Sequence, residues 1–405
     1  MKVLDRFLKY VSFDTASDEQ SETCPSSAKQ RVLGEYLANE LKEIGLSDVC
    51  FDKDGYVYGF LPASAGRENE SAIGFIAHMD TCPDVSGKDV KPEVIRYDGG
   101  DITLKCGEQI TTARFPFLSD LVGKDLVVTD GTTLLGADDK AGVAEIFSAC
   151  EYLIAHPECS HRAIAICITP DEEIGRGADR FDFSRFAAKE AYTIDGGALG
   201  EIEYENFNAA AAQVQIKGVN IHPGEAKNKM KNAALLASEF ISRLPASETP
   251  AHTEGYEGFY HVCEIGGDES SAFVTMIIRD HDREKFLHRK QFIENLCEYL
   301  NSVYGEGTFT ALIKDSYYNM KEKILPFMYL IDNAKAAFSE CSVEPKIIAI
   351  RGGTDGARLS YEGLPCPNLS TGGYNFHSVH ELIPVESLSR MVEVIVKLAE
   401  MRGQN

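Results

Sequence analysis

The stretch Ile73-Gly74-Phe75-Ile76-Ala77-His78-Met79-Asp80-Thr81 decides the architecture. Its first residues form an apolar run that predicts a buried strand, and the strand ends on a polar tip carrying His78 and Asp80. In a parallel sheet the carboxyl ends of the strands form the functional edge, so both side chains emerge there. Imidazole supplies a neutral nitrogen ligand to a metal, and a nearby carboxylate can orient the ring. A lone His-x-Asp is more often an ordinary strand-to-loop junction, so this motif by itself leaves both readings open.

Moving outward, the same event recurs. Gly136-Ala137-Asp138-Asp139-Lys140-Ala141-Gly142 opens a helix running to about residue 154, which puts Asp138 and Asp139 at its positive end, where a plain N-cap also accounts for them. Residues 163–169 form a buried strand that runs into Pro170-Asp171-Glu172-Glu173, and adjacent acids at the mouth of a sheet repel unless a positive charge sits among them. The strand 191–194 ends in Asp195-Gly196-Gly197. Four junctions therefore send His, Asp, Glu and Asp towards one edge, and this recurrence favours a cation site.

The 405-residue chain is too long for one typical core, so two domains are expected. From about residue 206 the pattern changes: a strand at 209–216, a helix from His222-Pro223-Gly224 to about 244, strands at 259–265 and 271–278, a helix at 283–304 and a strand at 308–313. The order β-α-β-β-α-β is that of a ferredoxin-like unit, inserted here as a smaller domain spanning 207–318. Two helices and two strands precede the His78 strand. After Asn319 the α/β pattern resumes with a helix at 325–341, strands at 346–350 and 365–369, and a closing helix at 386–401. The expected fold class is therefore α/β, with a mixed, largely parallel sheet flanked by helices and built from the larger, discontinuous domain 1–206 and 319–405.

A net charge of −23 argues against nucleic acid and against an anionic membrane surface as partners. Met1–Phe7 is amphipathic and charged without an apolar signal core, and no apolar run approaches the length of a membrane span. The 11 cysteines are scattered without a Cys-x-x-Cys pair, as suits a reducing cytoplasm, and this removes a structural zinc finger from consideration.

Taken together, the motifs resemble the co-catalytic zinc exopeptidases, a family that also holds carboxypeptidases and deacylases. The resemblance is carried by Ala77–Thr81, Gly136–Gly142, Asp171-Glu172-Glu173-Ile174-Gly175, Asp195-Gly196-Gly197 and Tyr374-Asn375-Phe376-His377. It extends through His222-Pro223-Gly224, the segment 254–261, Asp315-Ser316-Tyr317-Tyr318-Asn319 and Arg351-Gly352-Gly353-Thr354-Asp355-Gly356, covering essentially the whole chain, and points to the tripeptide aminopeptidases within the family. It implies two Zn²⁺ per subunit, one on His78 and Asp195 and the other on Glu173 and His377, with Asp138 bridging. It further implies metal-hydroxide attack on the first peptide bond with Glu172 as general base, and Asp80 as the partner that fixes the tautomer of His78. The inserted domain becomes a lid and dimerisation domain in a homodimer, with His222 reaching across to the other active site as an oxyanion donor.

Arg351 is a candidate for the substrate's terminal carboxylate, because a guanidinium fork matches a carboxylate bidentately. Arg279 is read as a lid ion pair. His380 competes with His377 as a ligand if the segment is helical, but Gly372-Gly373 argues for a loop. Asp139 and Lys140 are read as steadying the helix behind Asp138, and His156, His161, His252, His281 and His288 as surface residues. The expected function is a cytoplasmic dizinc aminopeptidase releasing the N-terminal residue of short peptides, tripeptides foremost. The alternatives are a dipeptidase or an N-acyl amino acid deacylase on the same site and, more remotely, a peptide-binding dimer without catalysis.

Overall fold

The structure, a computed structural model, describes residues 1–403, which divide into two compact units. The first takes Met1–Tyr204, Glu322–Ile348 and the chain from Thr354 onward; the second takes Glu205–Lys321 and Ala349–Gly353. The segment around Arg351 thus groups with the insertion, whereas the sequence placed it with the catalytic part.

The first unit is built on an eight-stranded mixed sheet with the order Ser47–Phe51, Val57–Leu61, Ile164–Thr169, Ile73–His78, Ala191–Gly196, Asn368–Ser370, Glu201–Asn206, Lys346–Ile350. Its centre is parallel: Ile73–His78 pairs in parallel with Ile164–Thr169 on one side and Ala191–Gly196 on the other, and Asn368–Ser370 continues the set. The flanking pairs are antiparallel. Every residue of Ile73–His78 and Ile164–Thr169 is buried, as a strand covered on both faces requires. The helices Ala137–Ala155 and Val385–Glu400 pack against each other, and Ala137–Ala155 also lies on the strand Ile73–His78. Because the central strands share a direction, His78, the turn after Thr169 and Asp195 all leave the sheet at one edge.

The second unit has a four-stranded antiparallel sheet in the order Phe259–Gly267, Ser271–Asp280, Asn208–Lys217, Phe309–Tyr317, which is the ferredoxin-like arrangement. From Ala210 onward the strand Asn208–Lys217 alternates buried with more exposed residues, and its inner face joins Phe240, Phe286, Ile293 and Leu300 in one core. The fold class is the one expected from the sequence.

Two helix boundaries differ from expectation. The helix placed from His222 to 244 is only Ala233–Ser242, preceded by a short 3-10 turn, Pro223–Glu225. Asn228 takes a left-handed φ of 59°, which ends any helix begun at Pro223, and the Asn232 side chain then accepts from Leu235 N–H to cap a new one. The helix expected over 325–341 is divided: a short helix Lys321–Ile324 and a 3-10 turn Leu325–Phe327 precede Tyr329–Glu340, and Pro326 has no N–H with which to carry the first helix into the second. Two of the histidines assigned to the surface are interior. His161 and His281 are each only 6% exposed, and each satisfies a ring nitrogen on a main-chain carbonyl, Arg162 and Ile350 respectively.

Candidate metal centre

His78 is the last residue of its strand and is held from both sides. Its backbone N–H donates to Asp139 (3.0 Å), and its ring Nδ1 lies 3.1 Å from the Asp80 carbonyl and 3.3 Å from the Asp80 carboxylate. That leaves Nε2 aimed outward, 2.8 Å from Asp138 Oδ1 and 3.3 Å from Asp195 Oδ1. The other oxygen of Asp138 faces a second imidazole: Oδ2 is 3.1 Å from His377 Nε2, and that same nitrogen is 2.8 Å from Glu173 Oε2. Asp138 thus turns one oxygen to a His78–Asp195 pair and the other to a His377–Glu173 pair. Glu172 stands beside the first, its Oε2 4.0 Å from His78 Nε2.

The acids are positioned by groups whose part the sequence did not reveal. Asp80, fully buried, accepts from the backbone N–H of both Glu172 (3.0 Å) and Glu173 (3.2 Å), so one carboxylate orients His78 and fixes the Glu172-Glu173 turn. Asp171, read only as part of an acidic run, anchors that turn from behind: it accepts from Ser26 N–H (2.7 Å) and the Gln30 side chain (2.6 Å). Glu381 holds the loop that carries Asp138. Its two oxygens accept from four consecutive backbone N–H groups, Leu135 (2.7 Å), Gly136 (2.8 Å), Ala137 (2.7 Å) and Asp138 (3.1 Å). The only sequence signal was its nearness to His377, which says nothing of a partner about 240 positions upstream. Glu381→Gln puts an amide N–H against these donors and loosens Asp138; metal affinity is expected to fall about 10–100-fold, the usual cost of losing a ligand's supporting group, read by competition with a chromogenic chelator.

Asp139 and Lys140 are both buried, Asp139 accepting from His78 and Gly142 N–H and Lys140 donating to the Phe13 carbonyl (2.8 Å). His380 lies against the Phe115 ring, with centroids 5.6 Å apart, and its Nε2 is 3.6 Å from the Glu108 carboxylate, which is not one of the clustered acids. In the second unit, His222 is exposed and its Nδ1 accepts from Gly224 N–H (3.2 Å). Arg351 commits its fork to a neighbouring loop, donating to the carbonyls of Gly255 (2.7 Å), Glu257 (3.0 Å) and Thr253 (3.3 Å), and it lies over the Phe207 and Phe259 rings. Arg279, expected in an ion pair, donates instead to the carbonyls of Ala210 and Ile278 and lies over Tyr317.

The electrostatics of the cluster favour a bound cation. Burial pushes Asp195 up to about 6 in spite of His78 beside it, and burial with repulsion from Asp138 pushes Glu173 up to about 8. Glu172 is raised well above the usual carboxylate range by burial and then by Asp195. In Asp138, burial is outweighed by hydrogen bonds with His377 and His78, which hold it below that range. Crowded acids with only two imidazoles among them call for compensating positive charge. The groups His78–Glu172–Asp195 and His78–Asp138–Glu173 each bring their ligand atoms within 4.8 Å of one another, as a bound cation needs. Nitrogen and carboxylate oxygen around a two-faced carboxylate fit a pair of Zn²⁺-like ions.

A donor set of this chemistry at the carboxyl edge of a parallel-centred sheet, in a chain interrupted by a ferredoxin-like insert, defines the class as a metal-dependent peptidase. Residues 204–308 match the family described as "Peptidase dimerisation domain". A relative from Caldanaerobacter subterraneus subsp. tengcongensis, "Peptidase T", is 53% identical over 100% of this chain and 99% of its own. Another from Desulfitobacterium hafniense (strain DSM 10664 / DCB-2), also "Peptidase T", is 54% identical over 99% of this chain and 98% of its own. The crystal structure of aminopeptidase PepT from Bacillus cereus shares the fold, with a TM-score of 0.76 at 24% identity, covering 98% of this chain and 97% of that one. The chain belongs to the peptidase T family, and so is a hydrolase, a metallo-aminopeptidase acting on peptides. No helix among the described residues is long and apolar enough to cross a membrane.

Proposed function

We propose that this enzyme releases the N-terminal residue of short peptides, tripeptides foremost, in the cytoplasm, using two Zn²⁺ per subunit. His78 and Asp195 hold one ion, His377 and Glu173 the other, and Asp138 bridges them. The observation that carries the reading is the two-faced Asp138 carboxylate, with one oxygen at each imidazole. Bound there, the ions supply Lewis-acid polarisation of the scissile carbonyl and a water acidic enough to lose a proton near neutral pH.

The chain's own residues do the rest. Glu172 accepts the proton of the attacking water on a carboxylate oxygen and passes it to the nitrogen of the departing peptide. Its backbone N–H is tied to Asp80, which keeps the carboxylate beside the ligands without becoming one. Asp80 also holds the His78 ring with Nε2 presented to the cation. The catalytic part is 1–206 with 319–405, and 207–318 is the lid and dimerisation domain of a homodimer. His222 donates to the developing oxyanion in the other subunit's site. For Arg351 to take the substrate's terminal carboxylate, it must exchange loop carbonyls for carboxylate oxygens.

Hydrolysis of a panel of di-, tri- and tetrapeptides, each free and N-acetylated, tests the reading. Free tripeptides are expected to turn over fastest and their N-acetylated forms to be resistant. Fast cleavage of acetylated substrates would favour a deacylase, and a preference for dipeptides a dipeptidase.

A further inference from the structure

Cys82 lies two residues beyond Asp80 on the loop leaving the His78 strand, and it is only 2% exposed. Cys150 and Cys167, by contrast, are buried within a helix and a strand, where a thiol behaves as a small hydrophobe. The Cys82 Sγ instead shares its surroundings with two of the charged groups described above. Its sulfur, a Glu173 carboxylate oxygen and a His377 ring nitrogen all lie within 4.8 Å of one another. Zinc–sulfur and zinc–nitrogen bonds of about 2.3 and 2.0–2.1 Å put two donors of one tetrahedral ion roughly 3.5 Å apart, so small side-chain movements close such a set.

We propose that Cys82 is a sulfur donor to the cation held by Glu173 and His377, which makes that position of the pair a mixed sulfur, nitrogen and oxygen site. The inference rests on the metal centre proposed above and goes beyond it in one residue. Coordination is a simple exchange: the thiol gives its proton to solvent as the sulfur–metal bond forms, and neither sulfur nor metal changes oxidation state. With Asp138, the residues Cys82, Glu173 and His377 would give that position four protein donors. A thiolate also shifts preference towards softer cations, so the two positions differ in the metals they retain.

Cobalt(II) titration of the metal-free full-length enzyme, compared with Cys82→Ser, separates the possibilities. The wild type is expected to show visible ligand-field bands together with a near-ultraviolet sulfur-to-cobalt charge-transfer band, and Cys82→Ser to keep the first and lose the second. Cys82→Ser is also expected to lose affinity for Cd²⁺ about 10–100-fold while its affinity for Mn²⁺ changes little. Ligand-field bands without a charge-transfer band in the wild type would overturn the role of Cys82 and leave the metal centre standing. Absence of both would overturn the metal centre itself. A charge-transfer band that persists in Cys82→Ser would assign the sulfur to another cysteine and refute the proposal.

Discussion

Glu172→Ala is expected to keep its metal and to lose turnover of a free tripeptide by about 10²–10⁴-fold, the contribution usual for a positioned general base. Two features make the outcome this selective. The Glu172 backbone is held by Asp80 independently of its side chain, so truncation leaves the turn and its neighbour Glu173 where they are. The carboxylate itself lies 4.0 Å from His78 Nε2, beyond the contacts that Asp138 and Asp195 make with that ring. Steady-state kinetics alongside elemental metal analysis distinguishes this from a folding defect. Near wild-type turnover would remove Glu172 from the reaction. Loss of metal together with turnover would make it a ligand rather than a base.

Asp138→Ala is expected to do the reverse, abolishing activity by emptying the site. Its two oxygens each serve a different imidazole, so one substitution disturbs both halves of the cluster. The metal affinity should fall more than the roughly 10–100-fold typical of supporting residues, and the metal content after gel filtration should drop in parallel. Because Asp138 N–H is only one of four donors to Glu381, the loop it sits on should stay in place and the melting temperature of the metal-free protein should change little. A variant that retained its full metal content would show that the Asp138 carboxylate is dispensable for metal binding.

The strands were legible because burial on both faces leaves an unbroken apolar run, as in Ile164–Thr169, and because each run ended on a charged tip. The order of strands in the sheet was not legible, since hydrogen bonding between Ile73–His78 and Ile164–Thr169 joins residues about 90 positions apart. The same distance hid the supporting groups. Asp171, Asp139 and Glu381 hold backbone N–H groups, and a backbone N–H has no side-chain identity for a motif to record. The His222 segment failed for a local reason: Pro-Gly resembles a helix start, but the left-handed Asn228 and the cap at Asn232 defer the helix to Ala233. The engagement of Arg351 with three loop carbonyls was equally beyond reach, because a guanidinium fork satisfies carbonyls and carboxylates alike.

Imidazoles and acids from separate strand ends gather at one edge of the sheet, and peptide cleavage is expected to depend on divalent cations held there. Tripeptide hydrolysis measured before and after exhaustive chelation, and again after zinc is restored, tests it most directly. The rate is expected to fall to the buffer background as the metal content reaches zero, and to recover with added Zn²⁺. Undiminished cleavage by metal-free protein would contradict it.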